Sequence, residues 1–459
     1  MKKTIFITSF HSIISKNIFN SDVLKILSED KNINIVIFVP SHKKELFEKY
    51  YKRDNIIFEG INLEPLINSK INTFFSRISF LLMDSHYLWY KKAERLETAK
   101  NLRGYLKYYY EIVFTKILSG HRFVNNFYRF FDYLFTPKNF FKKYFDAYNP
   151  NMVFVTDLFD KTDSAFLREA KSNKVFSIGM VRSWDNCWSK GLMRVLPDKF
   201  IVNNEVIKDE IVSMHNADKK NIFVGGLPQF DKFLSMDLGS RKDFFEKLKI
   251  REDRRLLMFS PLGYSLSDVD WEILQIFKDA IKNGDLPENI QFLIRMHPGR
   301  PLPLKDFTPD DHFYFDKPGI GEGKDVEFRP DDVEHLAKSL YFSEIIIWVA
   351  TTLGLDAAVF NKPQIVVNFD GWEKREYINS VRRYHNENHM RKMIDCGGVK
   401  EVLDRESLIE AINKYLNNPS LDQTGRDAMV KQQLYKIDGR SGERIANFIL
   451  SELEKIDKK

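Results

Sequence analysis

Short apolar runs alternate with amphipathic segments along most of this chain, which is the pattern of strands separated by helices. Because the runs are apolar at nearly every position, they predict parallel strands that helices cover on both faces. In the first half the predicted strands are 4–8, 34–39, 56–60, 152–156, 175–181, 199–202 and 221–224, with helices near 21–28 and 162–172. In the second half they are 255–259, 291–295, 312–315, 344–349 and 364–368.

The chain is expected to form two domains of this α/β kind. The segment 225–231 lies near the midpoint and contains two glycines and a proline, which are typical of turns. A length of 459 residues also exceeds that of one ordinary domain. We therefore predict a Rossmann-like domain over 1–225, a second one over 226–435 and a cleft between them, with a helical segment over 407–453.

Residues 66–148 interrupt the first domain with a helical pattern that is crowded with aromatic residues. Lys and Arg are interleaved with adjacent aromatic pairs such as Phe127-Tyr128 and Phe140-Phe141. One helix face cannot hold both members of each pair, so part of the insert is exposed or packed on two sides. Three interpretations stay open: an ordinary helical core, a surface for an anionic membrane, or a stacking surface for single-stranded nucleic acid. Nucleic acid is not the partner we expect.

Polar clusters directly follow two predicted strands of the second half. Arg295 and His297 come with the first of them, and Thr351 and Thr352 with the second. The carboxyl ends of parallel strands share one sheet edge, where such sheets bind ligands. A guanidinium, an imidazole and hydroxyls beside the free N–H groups of a helix start suit a phosphate. The leading hypothesis is a transferase that binds a nucleotide-activated donor here; a solvated strand end, a structural histidine and helix capping are the alternatives.

Other residues near the same edge are expected to complete the donor site. Ser260, Pro261 and Gly263 follow the first strand of the second domain, where a small serine and a glycine allow a diphosphate to come close. Asp356 lies one helical turn after Thr352. It is a candidate to accept hydrogen bonds from ribose hydroxyls, or else it faces solvent.

A loop in the first domain holds an unusual set of polar and aromatic residues. Trp184, Asn186 and Lys190 suit a sugar-containing acceptor, because an aromatic face packs on a sugar ring while the polar groups hydrogen-bond. Asp185 is a candidate general base for an acceptor hydroxyl. In the alternative, Asp185 caps a turn and the tryptophans of this loop pack between the domains. His11, after the first strand, is a further catalytic candidate or else a turn residue.

Composition limits these hypotheses. A net charge of +6 does not by itself indicate nucleic acid. Two cysteines, Cys187 and Cys396, give neither a disulfide framework nor a thiolate zinc site, so a cytoplasmic location is expected. No apolar run approaches the length of a membrane span, and polar residues within the first twelve argue against a signal peptide. The pair Asp268 and Asp270 is expected to begin a helix and 318–323 to form a flexible loop, so we predict no divalent metal and no cofactor.

These motifs together resemble the GT-B superfamily of glycosyltransferases. Within it, they are most similar to the CDP-glycerol glycerophosphotransferase group and to related bacterial capsule and surface-polysaccharide transferases. The likeness covers roughly residues 150 to 450 and leaves out the aromatic insert. It rests on 226–231, 295–298, the pair Thr351-Thr352 with Asp356, Phe369-Asp370 and the ending 438–446.

The resemblance implies metal-independent transfer, an N-terminal acceptor domain, a C-terminal donor domain and a helix over 436–459 that crosses back to the first domain. It also implies that His297 contacts the donor phosphates and that Thr351 and Thr352 hold them. Members of the group carry a His-Gly motif where this chain reads Ser-Trp-Asp-Asn. A sugar is therefore favoured over glycerol phosphate as the transferred group, with Asp185 replacing that histidine as base.

The expected function is metal-independent transfer of a sugar from a cytidine or uridine nucleotide to a surface-polysaccharide or lipid-linked acceptor. Contact with the anionic inner face of a membrane is an additional expectation for the insert. Asp185 takes the acceptor proton, while Arg295, His297 and the helix start at Thr351 stabilise the departing phosphate. Three alternatives stay open: a CDP-glycerol type polyol-phosphate transferase, an isomerase like UDP-N-acetylglucosamine 2-epimerase, and a non-catalytic glycan or membrane binder.

Overall fold

Two compact units make up the chain, each built on one parallel sheet. The computed structural model describes residues 2–11, 14–263, 266–267, 269–298, 300, 302, 307–319, 326 and 330–456. Unit 1 contains Met1–Asp231 and Asp438–Lys459, and unit 2 contains Lys232–Ile437.

The sheet of unit 1 has seven strands in the order β3-β2-β1-β4-β5-β6-β7. These strands are β1 (Lys3–Thr8), β2 (Ile33–Pro40), β3 (Ile56–Ile61), β4 (Met152–Val155), β5 (Phe176–Met180), β6 (Lys199–Val202) and β7 (Ile222–Val224). Neighbouring strands pair in parallel. Almost every residue of β1, β2, β4 and β6 is buried, which explains why the sequence shows continuous apolar runs there.

The sheet of unit 2 has six strands in the order β10-β9-β8-β11-β12-β13. They are β8 (Arg255–Ser260), β9 (Ile290–Arg295), β10 (Phe313–Asp316), β11 (Ile345–Trp348), β12 (Gln364–Val367) and β13 (Lys400–Val402). The first five agree with the predicted strands to within a residue or two. The edge strand β13 was not predicted, because three residues that include Lys400 and Glu401 give no apolar run.

Helices connect the strands and also form the insert. In unit 1 and across the boundary they are α1 (Asp22–Glu29), α2 (Lys44–Tyr51), α3 (Glu64–Ile67), α4 (Lys70–Leu81), α5 (His86–Thr98), α6 (Leu102–Leu118), α7 (Arg122–Phe135), α8 (Lys142–Tyr148), α9 (Lys161–Ser172), α10 (Asn186–Ser189), α11 (Glu205–His215) and α12 (Pro228–Ser235). They continue with α13 (Arg241–Leu248), α14 (Asp270–Lys282), α15 (Pro330–Phe342), α16 (Leu353–Val359), α17 (Arg382–His385), α18 (Asn388–Ile394), α19 (Arg405–Asn417), α20 (Gln423–Met429) and α21 (Ser441–Ile456).

The last helix, α21, returns to unit 1 and packs on α1. Its apolar side buries Ile445, Ala446 and Ile449 in the core under β1 and β2. Gly442 allows the close approach, since a Cβ there would lie 3.1 Å from the backbone nitrogen of Asp22. The predicted helical segment 407–453 is therefore three helices, α19, α20 and α21, rather than a continuous one.

The insert helices α3 to α8 share a small core with Leu192, which follows α10. The core contains Phe75, Leu82, Met83, Leu88, Tyr128 and Leu192. Asp132 of α7 is buried and binds the guanidinium groups of Arg168 and Arg194, with Oδ–Nη2 distances of 3.0 and 2.6 Å. The interpretation of the insert as helical core thus holds for one side of these helices. None of the helices in the described part of the chain combines the length and apolarity that a bilayer crossing requires.

Candidate functional site

The predicted donor residues lie on loops that leave one edge of the unit 2 sheet. Strand β8 pairs in parallel with β9 on one side and with β11 on the other. The loops after these three strands therefore start side by side at the carboxyl edge. The strand ends and loops at this edge carry the predicted residues. These are Ser260 as the last residue of β8, Pro261 and Gly263 after it, Arg295 as the last residue of β9 and His297 after it, and Thr351 and Thr352 after β11.

Gly263 brings the β8 loop directly against the turn that follows β9. Its φ is +95°, and a Cβ at this position would lie 2.7 Å from the backbone oxygen of Arg300 and 3.5 Å from the Cβ of His297. The turn is closed by a hydrogen bond of 3.2 Å from the Arg300 N–H to the His297 oxygen. Only glycine fits here without displacement, for both steric and conformational reasons. The structure thus brings together His297 and Gly263, two of the predicted site residues.

Two backbone N–H groups of the β8 loop are already occupied. Leu262 and Gly263 donate to the two carboxylate oxygens of Asp270, at 3.0 and 2.9 Å. A diphosphate near these two residues must therefore use other donors. The prediction that a helix begins at Asp270 is confirmed, since α14 starts there. Its carboxylate does not cap that helix but turns back to the loop, while Ser267 accepts from the Val269 N–H at 3.2 Å. Asp268 lies outside the described residues.

Asp270 is completely buried and this changes its acidity. Burial raises the pKa of Asp270 to about 6, although the two backbone donors act in the opposite direction. The carboxylate that positions the β8 loop is therefore ionised at neutral pH and begins to take up protons in mildly acidic solution.

His297 is neutral at pH 7. Burial, and secondly the positive charge of Arg300, lower the pKa of His297 to about 4. A neutral imidazole can still donate one hydrogen bond to a phosphate oxygen, but it brings no positive charge of its own.

Arg295 has a protein partner. Its guanidinium contacts the carboxylate of Asp316 at the end of the neighbouring strand β10, and His335 lies 3.0 Å from the same carboxylate. Both residues of the pair are nearly buried. The charge of Arg295 is therefore largely compensated, and its contact with a donor phosphate stays a prediction.

The loop after β11 places one hydroxyl inward and one outward. The Thr351 hydroxyl accepts from the Leu353 N–H at 3.3 Å, so it satisfies the first turn of α16. Thr352 is exposed and makes no capping hydrogen bond with its side chain. Asp356 is only 7% exposed, so the alternative that it lies on a solvated helix face is wrong.

Sequence reasoning missed a buried histidine at the same edge. The ring of His385 contacts the backbone oxygen of Val349 and, at 2.8 Å, the side-chain oxygen of Asn368. It thereby joins the loop after β11 to the loop after β12. Nothing local marked His385, because it comes from α17 and reaches the edge only through the tertiary fold.

In unit 1, the loop with Asp185 follows β5. The Asp185 carboxylate accepts hydrogen bonds from the hydroxyls of Ser183 and Ser189, at 2.5 and 2.7 Å. Asn186 accepts from the Ser183 N–H at 3.1 Å. Trp184 is buried, so it does not present an open stacking face. These contacts fit the alternative that Asp185 belongs to a turn, and the roles of Asp185, Trp184 and Asn186 toward an acceptor stay predictions.

Two predicted residues of unit 1 approach a buried ion pair that was not predicted. Arg182 binds Asp157 with an Nε–Oδ2 distance of 2.9 Å. Burial, and then the charges of Arg182 and Lys190 among others, lower the pKa of His11 to about 4. His11 and Lys190 therefore lie in the field of this pair. The signal for Asp157 was present in the sequence, since it lies two residues after the end of β4.

One group among the described residues has metal-ligand geometry, Asp310, Asp311 and His312. It precedes β10 and so lies at the amino end of that strand, away from the donor loops. Asp311 is paired with Arg254 at 2.9 Å. The glycine-rich loop 318–323 falls mostly outside the described residues.

Comparison with known proteins gives one family and one fold. The chain matches the family described as CDP-Glycerol:Poly(glycerophosphate) glycerophosphotransferase over residues 190–451, more than half of its length. No curated protein matches the sequence significantly.

Solved structures match nearly the whole chain at low identity. An S. aureus MnaA–UDP structure is 14% identical, covers 98% of this chain and 97% of its own, and has a TM-score of 0.59. A putative UDP-N-acetylglucosamine 2-epimerase from Listeria monocytogenes is 13% identical, with 99% and 98% coverage and a TM-score of 0.59. The wall teichoic acid polymerase TagF with CDPG is 11% identical, with 99% and 89% coverage and a TM-score of 0.50. These likenesses confirm the predicted α/β, GT-B fold class.

Proposed function

Since this chain belongs to the CDP-glycerol:poly(glycerophosphate) glycerophosphotransferase family, we propose that it moves a sugar from a cytidine or uridine nucleotide to a surface-polysaccharide or lipid-linked acceptor. Membership of this family makes the chain a transferase that uses a nucleotide-sugar or polyol-phosphate donor. The alternative of a non-catalytic glycan or membrane binder is therefore not favoured. The observation that carries the donor site is the contact between Gly263 and the turn of His297 and Arg300. It places an imidazole beside a glycine-lined loop at a ligand-binding sheet edge.

The donor phosphate is proposed to bind between this turn and the loop after β11. His297 donates one hydrogen bond, and the exposed hydroxyl of Thr352 donates another. Arg300 adds positive charge near His297, and this charge is one of the causes that lower the pKa of His297. Developing charge on the departing phosphate is then stabilised by donors that are positioned beforehand. No step needs a divalent cation, so transfer is proposed to persist in excess chelator.

Asp185 is proposed as the general base for the acceptor hydroxyl. The hydroxyls of Ser183 and Ser189 fix the orientation of its carboxylate. General-base catalysis contributes about 10²–10⁴-fold. Asp185→Asn should therefore reduce transfer by roughly this factor and leave nucleotide binding unchanged.

A polyol phosphate is the second candidate for the transferred group, and the family description favours it. The Ser-Trp-Asp-Asn loop favours the sugar. An isomerase is a weaker alternative that only the fold supports. Radiolabelled CDP-glycerol, CMP-sugars and UDP-sugars, each with and without membrane extract as acceptor, separate the three. Label transfer from a nucleotide-sugar supports the proposal, transfer from CDP-glycerol supports the second candidate, and an epimerised nucleotide-sugar without acceptor contradicts both.

The insert is proposed to bind an anionic membrane surface, where a lipid-linked acceptor resides. Two helices expose continuous apolar stripes at helical spacing. On α6 the stripe includes Leu102, Tyr109 and Ile117, and on α7 it includes Phe123 and Phe130, which is 62% exposed. Water-exposed apolar surface of this extent marks an interaction site.

The charges around these stripes favour anionic lipid as the occupant. Between residues 99 and 145 the chain has nine Lys and Arg but only two acidic residues, Glu111 and Asp132. Both acidic residues are buried. The exposed surface of this segment therefore carries an excess of positive charge, although Lys100, Lys116 and Lys142 pair with acidic residues just outside it. Such an excess suits a layer of anionic headgroups.

The loop that contains Asp185 is hydrogen-bonded to helices of the insert. The Ser85 hydroxyl at the start of α5 donates to the Trp188 oxygen at 2.7 Å. The Leu192 N–H donates to the Ser79 oxygen of α4 at 2.9 Å. A Cβ on Gly191 would lie 2.4 Å from the Ser79 hydroxyl oxygen. Membrane binding by the insert would thus hold the loop of Asp185 close to a lipid-linked substrate.

A further inference from the structure

A row of buried polar side chains lies along the carboxyl edge of the unit 1 sheet. It has one member after each of four neighbouring strands: Ser9 after β1, Asp157 after β4, Arg182 after β5 and Asn203 after β6. Each is less than one-tenth exposed. Because the strands are parallel, the four side chains belong to the same edge at which such sheets bind ligands.

Several atoms of this row lack hydrogen-bond partners among the residues that the structure describes. They are the Ser9 hydroxyl, both side-chain atoms of Asn203 and Nη1 of Arg182. Asn17 belongs to the same group, because its amide donates to the Arg182 oxygen at 3.4 Å while its own oxygen has no donor. Native proteins pair buried polar groups almost without exception, so this concentration indicates that something polar completes the set.

The carboxyl group of Asp163 is a further buried polar group beside this row. Asp163 is buried, one of its oxygens contacts the Thr8 hydroxyl, and the other has no partner in the described structure. Burial, and secondly the charges of Asp160 and Asp157, raise the pKa of Asp163 well above its ordinary value. Asp163 therefore keeps its proton more readily than an exposed aspartate does.

The hydrogen-bond donors and acceptors of these residues indicate which class of ligand fits them. Arg182 and the Asn203 amide offer donors, while the oxygens of Asn17 and Asn203 need donors. The charge of Arg182 is already compensated by Asp157. A fully ionised phosphate, which only accepts hydrogen bonds, would leave the two amide oxygens unsatisfied. A hydroxyl group both donates and accepts, so neighbouring hydroxyls can satisfy all of these atoms.

We propose that this row binds an uncharged polyhydroxyl group, a sugar or polyol, as the hydroxyl-bearing end of the acceptor. The inference rests on the proposed transferase function. It adds the residues that hold the acceptor and the class of its reactive end. The loop residues Asp185 and Lys190 follow Arg182 in the same connection, so an acceptor hydroxyl held by the row lies near the proposed base.

The test uses the full-length protein with glycerol and N-acetylglucosamine as uncharged probes and glycerol 3-phosphate and inorganic phosphate as anionic ones. Binding is followed by saturation-transfer NMR, and the binding of CDP and of UDP is measured separately by thermal shift. We expect the uncharged probes to bind wild-type protein and to bind Asn203→Leu and Ser9→Ala at least tenfold more weakly. Asn55→Leu is the matched control. Asn55 is likewise buried with an unpaired side-chain oxygen, but it precedes β3 and lies at the opposite edge.

Each outcome decides between explanations. The inference is overturned if the two phosphates bind in preference to the uncharged probes. It is also overturned if wild type and both variants bind the uncharged probes equally. In either case the row is a hydrated structural cluster. Ser9→Ala removes a single oxygen, so it keeps the test valid if Asn203→Leu does not fold. Absence of binding of both CDP and UDP with normal probe binding would contradict the proposed function but not the polyol site.

Discussion

Gly263 and Arg300 are in direct contact: no side-chain atom can be added to Gly263 without meeting the Arg300 carbonyl oxygen, 2.7 Å from the position of a Cβ. The contact joins the loops after β8 and β9, and His297 lies in the second of them. The geometry of the proposed donor site therefore depends on a glycine that binds nothing through a side chain.

Gly263→Ala should weaken donor binding more than it weakens the fold. The added methyl group pushes the turn away from the β8 loop, and a positive φ adds strain of order 1–3 kcal/mol. We expect the Kd for CDP to rise at least tenfold, or about 1.4 kcal/mol, in isothermal titration. Gly284→Ala is the control, because Gly284 also has a positive φ of +79° but has no atom within 4 Å of its Cβ position. Equal Kd values for the two variants would show that strain alone, and not the contact, matters.

Asp270 should make stability depend on pH between about 4 and 6. Its pKa in the folded protein is about 6, above the value of about 3.9 in an unfolded chain. The folded state therefore binds more protons in this window. The contribution of Asp270 is greatest below pH 4, falls as the pH rises toward 6 and is constant above that.

Urea unfolding of wild type and Asp270→Asn between pH 4 and 8 measures this effect. The difference in unfolding free energy, wild type minus variant, should fall by up to about 1.4 kcal/mol per pH unit inside the window. Other titrating groups are common to both proteins and cancel. A difference that stays flat from pH 4 to 6 would refute the assignment.

Nucleotide binding should raise the pKa of His297. In the free protein burial holds it at about 4, and a phosphate within hydrogen-bond reach favours the charged ring by about 1–3 pH units. Histidine ring signals followed by NMR with and without CDP test this, with His297→Gln identifying the resonance. The buried His215 of unit 1, whose pKa burial lowers to about 3, serves as the internal reference. If both signals titrate identically with and without CDP, His297 does not contact the donor phosphate.

Asp132→Asn should strongly destabilise unit 1. The substitution leaves Arg168 and Arg194 buried without their shared counter-charge, a change that costs about 3–5 kcal/mol in comparable pairs. Asp146→Asn removes an exposed pair with Lys142 and should cost less than about 1 kcal/mol. Chemical denaturation compares the two. A small effect of Asp132→Asn would mean that the insert is not anchored through this carboxylate.

Replacing Phe123, Phe127 and Phe130 with serine should weaken membrane binding at least tenfold. These side chains form the exposed stripe of α7, and burying such rings in the interface supplies the apolar part of the affinity. Cosedimentation with phosphatidylglycerol vesicles, and with phosphatidylcholine vesicles as the uncharged comparison, provides the measurement.

The matched control replaces three other exposed apolar residues, Tyr50, Ile57 and Tyr341, which lie outside the insert. We expect this control to bind like wild type, and raised salt to weaken both because the lysines and arginines are screened. Unchanged sedimentation of the phenylalanine variant would exclude α7 as the contact.

Much of the candidate site could be predicted from the sequence, because its residues directly follow strands that local apolar runs identify. Parallel strands place whatever follows them at one edge, so Gly263, His297 and Thr352 were found from their position after apolar runs. The same rule applied to β4 and β6 would have found Asp157 and Asn203. The sequence did not predict which partner each of these groups has. Arg295 was expected to bind phosphate, whereas Asp316 of the neighbouring strand binds its guanidinium.

The sequence by itself determined the α/β architecture, twelve of the thirteen strands and the separate character of the insert, because apolar periodicity and turn residues are local properties. Only the tertiary structure decided which polar groups are already paired, as with Asp270 and the β8 loop. It also decided which side of the insert is exposed and which distant residues, such as His385, reach the sheet edge. Those features depend on contacts between residues far apart in the chain, and burial, pairing and pKa follow from those contacts rather than from the order of residues.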